Sequence, residues 1–103
     1  MSVLLEFAMF PTDKGDSVSH YVSQIIDSVR HSGHPYKLTA MGTIVETATV
    51  AEALAVVQKS FNILEPHSSR VYLSANMDIQ KNKDNRLVSK IKSIEDKIGV
   101  VNK

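Results

Sequence analysis

A carboxylate stands where an apolar side chain is expected. Residues 2–10, Ser-Val-Leu-Leu-Glu-Phe-Ala-Met-Phe, are otherwise β-forming and apolar, and Glu6 interrupts them. A carboxylate in such a strand loses hydration unless a cation or hydrogen-bond donor compensates it. Either a ligand supplies that donor or a lysine does, and Lys37 is the candidate from this chain. Ser74, Asn76 and Asp78 recur at every second position, so a strand presents all three on one side, where amides and carboxylates can read the edge of a heterocycle. Taken singly, each reads as a residue of a solvated sheet face. Thr39 and Thr43 flank a Met41-Gly42 bend and offer hydroxyls, although threonine is also an ordinary strand former. Phe10 and Met41 can hold a flat ring between them, or simply fill core or interface volume. Glu46, near a strand end, reads as a surface ion pair, a subunit contact or a partner for a ligand.

Other chemistries find little support. With no cysteine there is no disulfide, zinc-thiolate site or thiol nucleophile. His20, His31, His34 and His67 lack an accompanying carboxylate cluster, so no metal site is expected. No serine sits in a nucleophile motif, and no glycine-rich phosphate loop is present. Gly15, Ser17 and Ser19 surround a helix start that is able to hold an anion, but capping alone accounts for Ser17. Cofactors are accordingly not expected. Twelve basic and 11 acidic residues give a net charge of +1, which offers nucleic acid or an anionic membrane no electrostatic handle. No apolar run approaches the roughly 20 residues of a membrane span. The opening Met-Ser-Val-Leu-Leu-Glu lacks the basic region of a signal peptide. A cytoplasmic location is the expectation.

The elements that must position these residues follow from periodicity. In the first strand Val3, Leu5, Phe7 and Met9 share one face, and Leu4, Glu6, Ala8 and Phe10 the other. After the Pro11–Gly15 loop, Val18, Val22, Ile25, Ile26 and Val29 make one stripe of a helix that ends near Gly33-His34-Pro35. Tyr36–Ala40 and Thr43–Thr47 read as short strands about the Met41-Gly42 bend. Thr49-Val50-Ala51-Glu52 is a capping box. It opens a helix with the stripe Val50, Ala53, Leu54, Val57, Phe61 and Leu64, stopped by Pro66. Arg70–Gln80 alternates as a strand with Val71, Leu73, Ala75, Met77 and Ile79 on one side. Leu87, Val88, Ile91, Ile94 and Ile98 form a last helical stripe before Gly99.

The order β-α-β-β-α-β-α predicts an α+β fold. It is a ferredoxin-like βαββαβ plait with an antiparallel four-stranded sheet and an extra C-terminal helix, and the 103 residues form a single domain. Two helices cover one sheet face, and the other stays open. The open face is expected to carry Leu4, Glu6, Ala8 and Phe10 beside Tyr72, Ser74, Asn76 and Asp78, with Lys37, Thr39, Thr43 and Val45 from the hairpin. An apolar floor with a few polar groups suits a small-molecule site or a subunit contact.

Several segments resemble the small thiamine-binding proteins of the YkoF-like group. Gly15-Asp16-Ser17-Val18-Ser19-His20-Tyr21-Val22 is similar to the start of that family's first helix. Met41-Gly42-Thr43-Ile44-Val45-Glu46 is similar to its Met-Gly-Thr-x-x-Glu segment. Pro11, Tyr36-x-x-Thr39 and Lys90-x-x-Ser93-Ile94-Glu95 follow in order, so the resemblance runs from about Val3 to Ile98. The chain departs from the pattern at Gln80, where the family tends to place arginine, and at Thr49-Val50-Ala51, where tryptophan or a second acid is frequent.

The resemblance implies protomers that pair through their sheets, as a homo-oligomer, dimer or dimer of dimers. It also implies a site for thiamine or its hydroxymethyl-aminopyrimidine part. Glu6 would then accept hydrogen bonds from the aminopyrimidine, and Glu6, Phe10, Thr39, Met41, Thr43, Asn76 and Asp78 would make the ligand-binding set. The expected protein is a non-catalytic binder. An oligomer with no ligand, or a small enzyme using Glu6 as acid or base, are the rival readings.

Overall fold

Strict alternation at the start of the chain produces strand β1, Ser2–Pro11, whose residues Val3, Leu5, Phe7 and Met9 are buried. The computed structural model describes all 103 residues. Helix α1 spans Val18–Arg30, strand β2 Tyr36–Leu38, strand β3 Thr43–Thr47 and helix α2 Val50–Leu64. Strand β4 spans Val71–Gln80 and helix α3 Arg86–Ile98. The four strands form one antiparallel sheet in the order β2-β3-β1-β4. This is the ferredoxin-like plait with an additional C-terminal helix. No helix is long and apolar enough to cross a membrane.

The core lies between the sheet and α1 and α2. Val3, Leu5, Phe7 and Met9 meet Ile25 and Val29 of α1, and Ala53, Val56 and Leu64 of α2, with Val45 from β3. Each large apolar side chain buried there contributes about 1.5–3 kcal/mol. Thr49 caps α2, its side chain accepting from the Glu52 amide at 3.1 Å. Ser17 occupies the equivalent position before α1, but its side chain makes no capping bond.

Two helical stripes differ from expectation. On α2 the buried line is Ala53, Val56, Ser60 and Leu64, whereas Leu54 and Phe61 are exposed. Ser60 tolerates burial because its hydroxyl donates to the Val56 carbonyl at 2.8 Å. On α3 only Leu87 and Ile91 of the apolar stripe are half-buried, and Val88, Ile94 and Ile98 face outward.

The hairpin faces also differ. Thr43 and Val45 pair with Phe7 and Leu5, and both lie buried on the helix-covered side. Ile44 and Glu46 take their place on the open face. The reason is the turn: residues 39–42 reverse the chain, so the alternation counted from Lys37 does not run through Met41-Gly42.

Candidate functional site

The open face is a ladder of rungs fixed by strand register. The first rung is Glu46, Leu4 and Asp78. The second crosses the whole sheet as Lys37, Ile44, Glu6 and Asn76. The third pairs Ala8 with Ser74, and the fourth Phe10 with Tyr72. Alternate residues of a strand are about 7 Å apart. Glu6 and Phe10 therefore lie about 14 Å apart along β1, with the small Ala8 and Ser74 between them.

Each rung has its own chemistry. Glu6 is exposed and forms no hydrogen bond or ion pair. Lys37 is two strands away, with Ile44 between, and the two do not pair. Asn76 stands directly beside Glu6. At the other end the Phe10 and Tyr72 rings lie 5.4 Å apart, tilted by 35°. A hydrogen-bonding rung and an aromatic rung thus flank a flat, small-residue floor.

Beyond Phe7, β1 has no β3 neighbour, because β3 begins at Thr43. The gap is a notch of about 320 Å³ between Ala8–Phe10, α1 and the 39–43 turn, lined mainly by apolar side chains. Phe10, Thr39, Met41 and Thr43 all border it. Gly42 holds the turn close to β1: a methyl at this position would lie 3.2 Å from the Phe7 carbonyl oxygen and 3.6 Å from Glu6 Cγ. Gly42 therefore joins the notch to the Glu6 rung.

The structure brings together some of the expected site residues and separates others. Glu6 and Asn76 share a rung, Phe10 closes the aromatic end, and Met41 stands at the tip of the turn, 87% exposed. Thr39 is committed to the turn itself. Its hydroxyl donates to the Gly42 carbonyl at 2.8 Å and accepts from the Met41 and Gly42 amides, each at 3.2 Å. Thr43 reaches the notch from the helix-covered side, not from the open face.

Asp78 is engaged elsewhere, in a cluster the sequence did not reveal. Arg86, 2% exposed, places Nη1 2.9 Å from Asp78 Oδ2 and donates to the Asp78 and Ser2 carbonyls at 2.6 and 2.8 Å. Its Nε donates to Ser2 Oγ at 3.1 Å. Ser2 Oγ donates to Glu46, which also accepts from the Arg86 and Leu87 amides at 2.8 and 3.0 Å. Glu46 is thus 7% exposed and caps α3, in place of the surface ion pair expected of it. Desolvation pushes its carboxyl up, but the Ser2 hydroxyl, the two amides and the Arg86 charge together hold it below the usual range. The Lys90 ammonium, then Arg86, hold Asp78 low as well. The only advance signal was a glutamate at a strand end, with an arginine opening the last helix.

Other polar groups do not converge. No three His, Asp or Glu side chains are arranged to hold a metal ion. His31 sits against Asp27, His34 lies 3.9 Å from Glu52, and His20 and His67 flank Tyr21. Asp13 ties two loops together and is held at about 2 by the Ser68 hydroxyl and by the Ser69 amide and hydroxyl.

The sequence model described as thiamine-binding protein matches residues 5–95. A UPF0045 protein of Mycobacterium bovis is 33% identical over 95 residues, covering 92% of this chain and 93% of that protein. The crystal structure of the hypothetical protein MJ1052 from Methanocaldococcus jannaschii superposes with a TM-score of 0.79 at 31% identity, covering 90% of this chain and 95% of that one. A Thermotoga maritima structure, of a protein provisionally assigned to thiamine biosynthesis or salvage, gives a TM-score of 0.74 at 20% identity, over 87% of this chain and 98% of that one. At that identity the likeness concerns the fold.

Proposed function

Since the chain belongs to the thiamine-binding protein family, we propose that it binds thiamine or its aminopyrimidine part on the open sheet face, in the cytoplasm, without covalent turnover. The observation that carries this reading is the pairing of an uncompensated acid with an aromatic platform. Glu6 and Asn76 offer a carboxylate and an amide side by side, and the Phe10–Tyr72 rung lies two rungs further along the same face. An aminopyrimidine presents an amino group and a ring nitrogen, which a carboxylate and an amide complement. A thiazolium cation is attracted to an aromatic face. The notch at Met41 and Gly42 adds apolar depth of a volume typical of small-ligand sites.

This reading assigns roles by placement. Glu6 and Asn76 read the heterocycle edge, Phe10 and Tyr72 hold the cationic or flat part, and Met41 closes over it. Thr39 shapes the turn, and Asp78 anchors α3. Beyond the end held by α3 this sheet face is open to water, so a neighbouring copy in a homo-oligomer completes the enclosure.

The test is titration calorimetry of thiamine into the purified protein. Saturable heat is expected, with a rise in melting temperature, since a ligand that binds only the folded state must stabilise it. Glu6→Gln removes a charge-assisted hydrogen bond worth about 1.5–3 kcal/mol, so affinity falls about 10- to 100-fold. Absence of both heat and thermal shift at millimolar thiamine overturns the proposal.

A further inference from the structure

The backbone directions in β1 follow from two hydrogen bonds. The Glu46 amide donates to the Pro35 carbonyl at 2.9 Å, so the even-numbered residues of β3 turn their backbone groups toward β2. Thr43, Val45 and Thr47 therefore turn theirs toward Phe7, Leu5 and Val3 of β1. Just past the end of β1, the Thr12 amide donates to the Arg70 carbonyl at 2.9 Å, so the even-numbered side of β1 serves β4. Odd-numbered residues of β1 thus aim both N–H and C=O toward β3.

Met9 is the next odd residue, and β3 does not reach it. Pairing between the two strands ends at Phe7 and Thr43. No turn or loop backbone bond engages Met9, and the residue is 4% exposed. Its donor and acceptor consequently point, unpaired, into the notch of about 320 Å³. Buried main-chain groups almost always have partners. A third polar group joins them. Thr43 is 3% exposed, and its hydroxyl bonds to no other residue. No fully enclosed polar side-chain atom lacks a partner, so this hydroxyl opens onto the notch that Thr43 lines.

We infer that the notch is a binding site for a neutral, planar nitrogen heterocycle that carries a hydrogen-bond donor next to an acceptor, held by the main chain of Met9 and the Thr43 hydroxyl. The N–H and C=O of one extended residue face the same way, as an adjacent pair that an amidine or lactam edge complements. No ionisable side chain lines the notch, so a charged group there would lose hydration without compensation. An extended peptide does not fit. Pro11, the next odd residue, has no N–H to offer, and the Thr39–Gly42 turn closes the other end, so a strand would find a single bonding residue. A hollow along α1 shares Val22, Ile26 and Leu38 with the notch and leads to Ser19, Ser23 and Gln24, which gives room for a polar substituent on the ring. The site stands on these strand ends and this cavity, whether or not the open face takes thiamine.

Amide-resolved NMR titration of the full chain with 4-aminopyrimidine at neutral pH tests it. Saturable shifts are expected at the Met9 and Thr43 amides. Pyrimidine, which keeps the acceptor and lacks the donor, is expected to bind about 2- to 10-fold more weakly, the worth of one hydrogen bond. Thr43→Val, which keeps the β-branched shape, should weaken 4-aminopyrimidine by a similar factor with unchanged circular dichroism. Glu6→Gln should leave the Met9 shift as it is. No saturable shift at Met9 and Thr43 with millimolar 4-aminopyrimidine, or equal affinity for pyrimidine, overturns the inference. Shifts confined to Glu6 and Asn76 would overturn the notch site while leaving the open-face reading. Shifts at Met9 and Thr43, from a protein that gives no thiamine heat, would do the reverse.

Discussion

Glu46, at the end of β3, accepts the first two backbone amides of α3, from Arg86 and Leu87, and so caps a helix that begins 40 residues later. The residue before that helix, Asn85, adopts a left-handed conformation and supplies no side-chain cap. The orphan amides that every helix start carries are answered here by the sheet. With Ser2, Asp78 and Arg86, the same carboxylate ties β1, β3, β4 and α3 at one end of the open face.

Glu46→Ala should therefore destabilise the protein far more than a surface charge deletion. It leaves two helix amides and the Ser2 hydroxyl unanswered and removes a negative charge near the buried Arg86, at a cost of about 3 kcal/mol. Urea denaturation measures the loss. Hydrogen exchange should show protection falling first across Arg86–Ile98, with the β1–β3 pairing retained. Equal loss of protection throughout would contradict a local anchor.

Acid should release the same helix. Glu46 and Asp78 both have folded-state carboxyls held below their ordinary values. Their ionised forms favour the folded protein, so this stability is fully present above the ordinary carboxylate range. It is lost as pH falls through the lowered folded-state values. Stability measured by denaturant at successive pH values should decline below about pH 4.5. In Glu46→Gln that decline should be shallower. A wild-type profile flat down to pH 2 would remove the electrostatic role assigned to the cluster.

The two helix starts make a paired test. Thr49→Ala deletes a side-chain cap that is formed and should cost about 1 kcal/mol. Ser17→Ala deletes a hydroxyl that caps nothing and should change stability by less than about 0.5 kcal/mol. Thermal melts of the two variants decide it: equal losses would mean that Ser17 caps α1 in solution.

Local signals carried the reading of this sequence a long way. The two faces of β1 followed from alternation, α2 from its capping box, and the plait from the order of elements. What failed was phase and distance. Counting through Met41-Gly42 assigned Thr43 and Val45 to the wrong face, because a turn resets side-chain alternation. Ranking residues by apolarity placed Phe61 inside and overlooked Ser60, whose burial depends on a hydrogen bond within its own helix. Glu46 looked like a surface residue because Ser2 and Arg86, which enclose it, are 44 and 40 positions away. Period alone put Glu6, Phe10, Asn76 and Asp78 on the open face, where they lie. It could not show that Thr39 and Asp78 are held by partners within the chain, since hydroxyls and carboxylates are claimed by whichever partner the fold brings first.

Ser2 and Arg86 are 84 residues apart, and β1 sits between β3 and β4, so the first strand to be made is among the last to be completed. A nascent chain that has emerged only as far as residue 70 can fold α1, the hairpin and α2 onto one flank of β1. Its other flank must wait for β4, and Ser2 waits longer still for the arginine that locks it. Consolidation thus depends on nearly the whole polypeptide being available, and non-local closure of this kind slows folding. Until it occurs, the apolar row Val3, Leu5, Phe7 and Met9 is only partly enclosed, and that interval is when the chain is most exposed to misassembly.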